Sequence, residues 1–223
     1  MLNIGNFIAK YVTKRPESMF QGDLHTHQSA LTEAIEGKSV LVIGGAGSIG
    51  SSYIKALLPF KPKTLVVVDI SENGLTELTR ELRSTSAFTV PDDYVTYPMN
   101  YADDTFVKMF KARGGFDIVA NFSAHKHVRS EKDKYSVEAL LKNNVVNAKK
   151  FLDLLCDYRP QHFFCVSTDK AANPVNIMGG SKKIMEDMIM AYADLFPVTT
   201  ARFANVAFSN GSLPAGFLER IAK

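Results

Sequence analysis

The stretch from Ser39 to Gly50 limits this chain more than any other: an apolar, β-branched run, Ser39 to Ile43, runs straight into Gly44-Gly45-Ala46-Gly47-Ser48-Ile49-Gly50. Such a run reads as a buried strand, and the helical pattern Ser51 to Leu58 follows it directly. Gly44, Gly47 and Gly50 have the spacing G-x-x-G-x-x-G. A tight turn, close approach of a pyrophosphate and close helix-to-strand packing each require a residue without Cβ. The helix that opens there presents N–H groups and the positive end of its dipole to phosphates. Asp69, nineteen residues after Gly50, closes a second apolar run, Thr64 to Val68. An acid at that point accepts hydrogen bonds from ribose hydroxyls and repels a 2′-phosphate. Gly44, Gly47, Ser48, Ile49, Gly50 and Asp69 are therefore candidate dinucleotide-binding residues, for NAD rather than NADP. A purely structural glycine turn is the competing reading.

The remaining chain continues the alternation. Helical patterns at 72–82, 104–111, 137–158 and 177–195 separate apolar runs at 94–97, 116–122, 162–166 and 198–203. Strands that are continuous apolar runs belong to a parallel sheet covered on both faces. Right-handed crossovers then give an α/β fold of the Rossmann type, a doubly wound parallel sheet in the order 3-2-1-4-5-6. Residues 1–36 read as an N-terminal helical extension and 37–223 as the NAD-binding domain. Within the extension His25 and His27 lie in a polar loop, too few for a metal site.

Composition narrows the function. The net charge of +3 comes from scattered basic residues, and Arg129, Lys132 and Lys134 alternate with Glu131 and Asp133 as in a solvated helix start, so nucleic acid is not indicated. Two cysteines, Cys156 and Cys165, read as buried thiols of a reducing compartment. No apolar run reaches the ~18 residues of a membrane span, and the expected location is the cytoplasm.

Gly44, Asp69, Asn100, Ser123, Ser167 to Lys170 and Asn205 each follow the carboxyl end of an expected strand, the edge that carries the ligand crevice of an open parallel sheet. Asp169 and Lys170 stand together where the 162–166 strand ends, and Met178 and Lys182 share a helix face by their i, i+4 spacing. An adjacent acid and amine at a strand end point to proton transfer; a solvated surface turn is the alternative.

Four segments carry a family likeness: Ile43 to Gly50, Ala124-His125-Lys126-His127-Val128, Ser167-Thr168-Asp169-Lys170-Ala171-Ala172-Asn173-Pro174, and Arg202-Phe203-Ala204-Asn205-Val206. Together they resemble the extended short-chain dehydrogenase/reductases, and among these the nucleotide-sugar 4,6-dehydratases of bacterial polysaccharide biosynthesis, lyases acting on UDP-N-acetylglucosamine. The resemblance implies C4 oxidation by NAD, loss of water across C5 and C6, and return of hydride to C6. It implies that Lys170 is the C5 base, Asp169 the acid for the C6 hydroxyl, Thr168 a neighbour in proton transfer, and Lys182 the lysine that holds the nicotinamide ribose. Asn100 and Ser123 fall among its cofactor contacts, and Lys126, His127 and Asn205 among its contacts with a UDP-sugar. A lysine base must be neutral, against an unperturbed pKa of about 10.4. The family also pairs the helices expected at 137–158 and 177–195 across a two-fold axis, which implies a homodimer or higher oligomer built on Val145, Leu152, Leu155, Met185, Met188 and Tyr192.

This chain departs from that pattern. Most members have Tyr-x-x-x-Lys where Met178-Gly179-Gly180-Ser181-Lys182 stands, and a thioether neither gives nor takes the C4 hydroxyl proton. A relay through Thr168, Asp169 or a water, or a degenerate site, are the two readings of Met178. Ile43 replaces a usual threonine, Asn100 an aspartate and Asn210 an arginine. Members continue for roughly another hundred residues, a smaller domain over the substrate that is expected to be largely missing here, so that the chain is either a fragment or lacks its lid. The Asp-Lys pair weakens the 4-epimerase reading, since epimerisation at C4 needs no C5 base; a dehydratase that also inverts C5 stays open as an alternative, and a non-catalytic NAD-binding module remains the rival of another class.

Overall fold

The computed structural model describes residues 4–125, 131–209 and 211–221. At the amino end α1 (Ile4–Phe7) runs into a π-helical turn, Ile8–Val12, and is followed by α2 (Gln21–Thr26) and α3 (Gln28–Ile35). His25 and His27 are both exposed. Strands and helices then alternate through β1 (Ser39–Ile43), α4 (Ser48–Leu57), β2 (Thr64–Asp69), α5 (Glu72–Ser84), β3 (Asp93–Pro98), α6 (Asp104–Ala112) and β4 (Ile118–Asn121). The second half holds α7 (Lys134–Leu141), a π segment (Lys142–Asn147), α8 (Ala148–Asp157), β5 (His162–Thr168), a 3-10 turn (Asp169–Ala171), α9 (Ile177–Ala191), β6 (Val198–Phe203) and α10 (Leu213–Ile221).

The six strands pair in the order β3-β2-β1-β4-β5-β6, every pair parallel, as the alternation requires. Ile43 is level with Val68 and Asn121, and Thr168 with Phe203, so the carboxyl ends of these strands form one edge. Val40 to Val42 and Leu65 to Val68 are fully buried because helices cover both faces of the sheet centre. On one face α6, α8 and α9 supply Phe106, Phe110, Phe151, Leu155, Met185 and Ile189. On the other, α4 and α5 supply Ile54, Leu57, Leu75, Leu78 and Leu82. Asp117 ties the amino ends of the strands together, accepting from the Ser39 amide at 2.8 Å, the Ser39 hydroxyl at 2.7 Å and Gln161 at 2.9 Å. Burial pushes its carboxyl up, but the Ser39 hydrogen bonds outweigh it and leave it below the usual carboxylate range.

Three expectations need correction. β5 is not covered equally on both faces: Phe163, Cys165 and Ser167 are buried while Phe164 and Val166 are half-buried, with the ring of Tyr53 on α4 lying 6.5 Å from Phe164. The helix expected over 137–158 is interrupted by the π segment, in which Asn144 turns inward. Cys156 is half-buried rather than buried.

Candidate functional site

A cleft of about 740 Å³ opens along the carboxyl edge of the sheet. Its floor at β1 is the glycine loop. Gly44 has φ +76°, and a Cβ there would lie 2.7 Å from the Ser123 amide nitrogen. At Gly50 a Cβ would overlap the Gly44 carbonyl oxygen and stand 2.8 Å from Gly45 Cα, so the protein itself requires both glycines. Gly47 differs: a Cβ would meet only Gly44 O, at 3.4 Å, an ordinary contact. Packing alone does not require a glycine at this position. Gly47 is also the N-cap of α4, with no side chain capping the helix, whose first turn lines the cleft with Ser48, Ile49 and Gly50.

Asp69, at the end of β2, accepts from the Ala46 amide at 3.0 Å and the Ser71 amide at 2.9 Å. Its carboxylate is thereby fixed against the glycine loop, beside the cleft it lines, and each oxygen keeps further acceptor capacity. Asn100 and Ser123 line the cleft beside it. Asn100 accepts from the Ala102 amide at 3.0 Å, and the Ser123 hydroxyl donates to Asn121 at 2.7 Å. A helix start without a side-chain cap, a glycine-rich loop and a fixed carboxylate one strand away fit a dinucleotide.

At β5 the chain leaves the sheet through Thr168 and the 3-10 turn. Asp169 accepts from the Thr168 hydroxyl at 2.9 Å, the Lys170 amide at 2.9 Å and Lys170 Nζ at 3.2 Å. The Thr168 hydrogen bond, and then Lys170, hold the Asp169 carboxyl below the usual carboxylate range, so at neutral pH it is ionised. Thr168 and Lys170 line the cleft, whereas Asp169, with a half-exposed side chain, reaches it through those two. The Ser167 hydroxyl beneath them is buried without a partner in hydrogen-bond geometry among the described residues, although it stands close enough to Glu186 to favour that carboxylate.

The start of α9 packs straight onto this turn, since a Cβ on Gly179 would lie 2.7 Å from Lys170 O. Asn176 caps the helix through the Gly179 amide at 2.7 Å. Met178 and Lys182 are both buried and both face the cleft, as their spacing predicts. Lys182 donates to Val166 O at 2.7 Å, and burial pushes its ammonium below the ordinary lysine value. Asn205, after β6, closes the far wall. Lys126, His127 and Asn210 lie outside the described residues.

Two contributors escaped the sequence reading. Glu131, taken there for a solvated residue, accepts the Met178 amide at 2.7 Å. Asn144 of the π segment holds both backbone polar groups of His125, each at 3.0 Å, and donates to Ser181 at 3.1 Å, tying the β4 loop to α9. The available signal was Asn143-Asn144, a polar pair inside an apolar helical pattern.

Sheet order, glycine cradle and the turn after β5 define a Rossmann-type domain of the extended short-chain dehydrogenase/reductase class. The chain belongs to the family described as polysaccharide biosynthesis protein, whose model matches residues 40–223. It is 35% identical over 192 residues to an uncharacterized membrane protein of Methanocaldococcus jannaschii, covering 83% of this chain and 54% of that one. It is 28% identical over 195 residues to a UDP-N-acetylglucosamine 4,6-dehydratase (inverting) of Campylobacter jejuni, covering 84% and 54%. Among solved structures, Pen from Bacillus thuringiensis superposes with a TM-score of 0.72 at 25% identity, over 85% of this chain and 56% of that one. The chain spans about half the length of these relatives.

Proposed function

We propose that this chain carries the NAD-binding and catalytic part of a nucleotide-sugar 4,6-dehydratase acting on UDP-N-acetylglucosamine. The observation that carries the reading is the Lys170–Asp169 contact of 3.2 Å at the end of β5, opening through Lys170 into the cleft that the glycine loop floors. The similarity to the Campylobacter dehydratase supports it. Bound NAD would supply the acceptor for hydride from C4 and its return to C6.

The chain's own residues handle the protons. Lys170 removes the C5 proton and Asp169 delivers a proton to the departing C6 hydroxyl. Asp169 begins as a carboxylate, so it must take up a proton before it can give one. Met178 has no proton to exchange, so Thr168, which lines the cleft and donates to Asp169 at 2.9 Å, takes the C4 hydroxyl proton and passes its own to Asp169, which hands that proton to the departing C6 hydroxyl. Lys182 holds the ribose at this end of the cofactor. Asn205, with Lys126 and His127, contacts the sugar nucleotide.

Self-association belongs to the same reading, with its surface corrected. Leu152, Leu155 and Met185 are core residues, and Met188 and Tyr192 pack against the core. The apolar side chains left exposed on the adjoining α7, π segment and α9 are Tyr135, Leu141, Val146, Ile177, Ile184 and Met190. A second copy is proposed to cover them.

Incubation of the protein with NAD and UDP-N-acetylglucosamine, followed by mass spectrometry, tests the activity. A product lighter by one water is expected. An isomer of unchanged mass would make the enzyme a 4-epimerase, and NAD binding without turnover would leave a non-catalytic module.

A further inference from the structure

We infer that Glu131 is a positioning residue for the nicotinamide end of the cleft; the inference rests on the NAD reading above. The first turn of a helix has N–H groups without intrahelical acceptors. In α9 the Gly179 amide is taken by Asn176, one turn back, but the Met178 amide is taken by a carboxylate 47 residues upstream. Glu131 lies between β4 and α7, two residues before Asp133, which caps α7 through the Tyr135 and Ser136 amides. One side chain therefore pins the start of α9 to the connection between β4 and α7. The acceptor is a carboxyl oxygen at 2.7 Å, placed at the positive end of the helix dipole.

Three cleft residues depend on that anchor. Met178 and Lys182 are on α9 itself, and Gly179 backs onto Lys170 O so closely that the helix and the Asp169–Ala171 turn must move together. Glu131 does not line the cleft, so its effect passes through these residues. The adenosine end is built separately, from the glycine loop on β1 and Asp69 on β2. Loss of the carboxylate should thus disturb one end of a bound dinucleotide and spare the other.

NAD and ADP-ribose, which lacks the nicotinamide, distinguish the ends. Their dissociation constants are measured by calorimetry on the wild-type protein, Glu131→Ala and Glu131→Gln. Glu131→Ala should weaken NAD about tenfold, the worth of one hydrogen bond, and leave ADP-ribose within about twofold. Glu131→Gln keeps an oxygen for the Met178 amide and should restore NAD to within about threefold of wild type. If Glu131→Ala fails to fold, Glu131→Asp, one methylene too short for the bond, should show the same selective loss. Equal weakening of both ligands would reduce Glu131 to general stability and overturn the inference, as would no change in either. A wild-type protein that binds neither ligand overturns the cofactor reading, and this inference with it.

Discussion

Asp69 holds the glycine loop with one oxygen and the turn after β2 with the other, and both jobs need only an acceptor. Asp69→Asn keeps an acceptor for only one of these two amides, which should cost about 1–3 kcal/mol of stability, and it should weaken NAD about tenfold, while NADP, relieved of repulsion, weakens less; equal losses in a titration of the two cofactors would remove Asp69 from the ribose site. A second contrast lies within the glycine loop. Gly50→Ala forces a Cβ against the Gly44 carbonyl and should cost about 2–3 kcal/mol in urea unfolding. Gly47→Ala has room for its methyl group and should leave stability nearly unchanged yet weaken NAD at least tenfold, by blocking the pyrophosphate. At this scale the sequence was most legible where residue type and chain position coincide: a glycine after a strand, an acid closing the next strand, Asp169-Lys170 after β5. It misled at Glu131, because an acid among alternating charges looks the same whether it meets water or an amide 47 residues away.

Elements were legible to within a few residues wherever burial is two-sided, as at β1 and β2, whose apolar runs have one explanation. The π segment was not, since Asn144 is held by His125 and Ser181, partners that only the folded chain brings near. The junction of β1 with β4 supplies a pH test. Asp117 is held below the usual carboxylate range, so its contribution is fully present above the unfolded aspartate value of about 3.9 and is lost as pH falls through the lower folded value. Wild-type stability should fall on acidification below about pH 4. Asp117→Ala should lower it by about 2 kcal/mol near neutrality and flatten the acid limb of the curve. An unchanged slope in urea unfolding at a series of pH values would release Asp117 from this role.

The whole molecule places a cofactor cradle, an acid–amine pair and an apolar helical surface on one doubly wound sheet. Sedimentation at micromolar concentration should give a dimer or larger, and Ile184→Asp should shift it towards monomer; a wild-type monomer would mean that Tyr135, Leu141, Ile177 and Ile184 need no second copy. The topology was readable because alternation and right-handed crossovers leave few arrangements. The exposed apolar surface was not, because Leu152, Leu155 and Met185 look as apolar in the sequence as the residues that remain exposed. The central claim is that Lys170 removes the C5 proton, and the direct test is exchange of that proton with deuterated solvent during incubation with NAD and UDP-N-acetylglucosamine. Deuterium should enter C5 with the wild-type protein and with Met178→Ala, enter at a reduced rate with Asp169→Asn, and be absent with Lys170→Ala while NAD binding persists. Exchange that survives Lys170→Ala, or is lost as fully with Met178→Ala, would contradict the account.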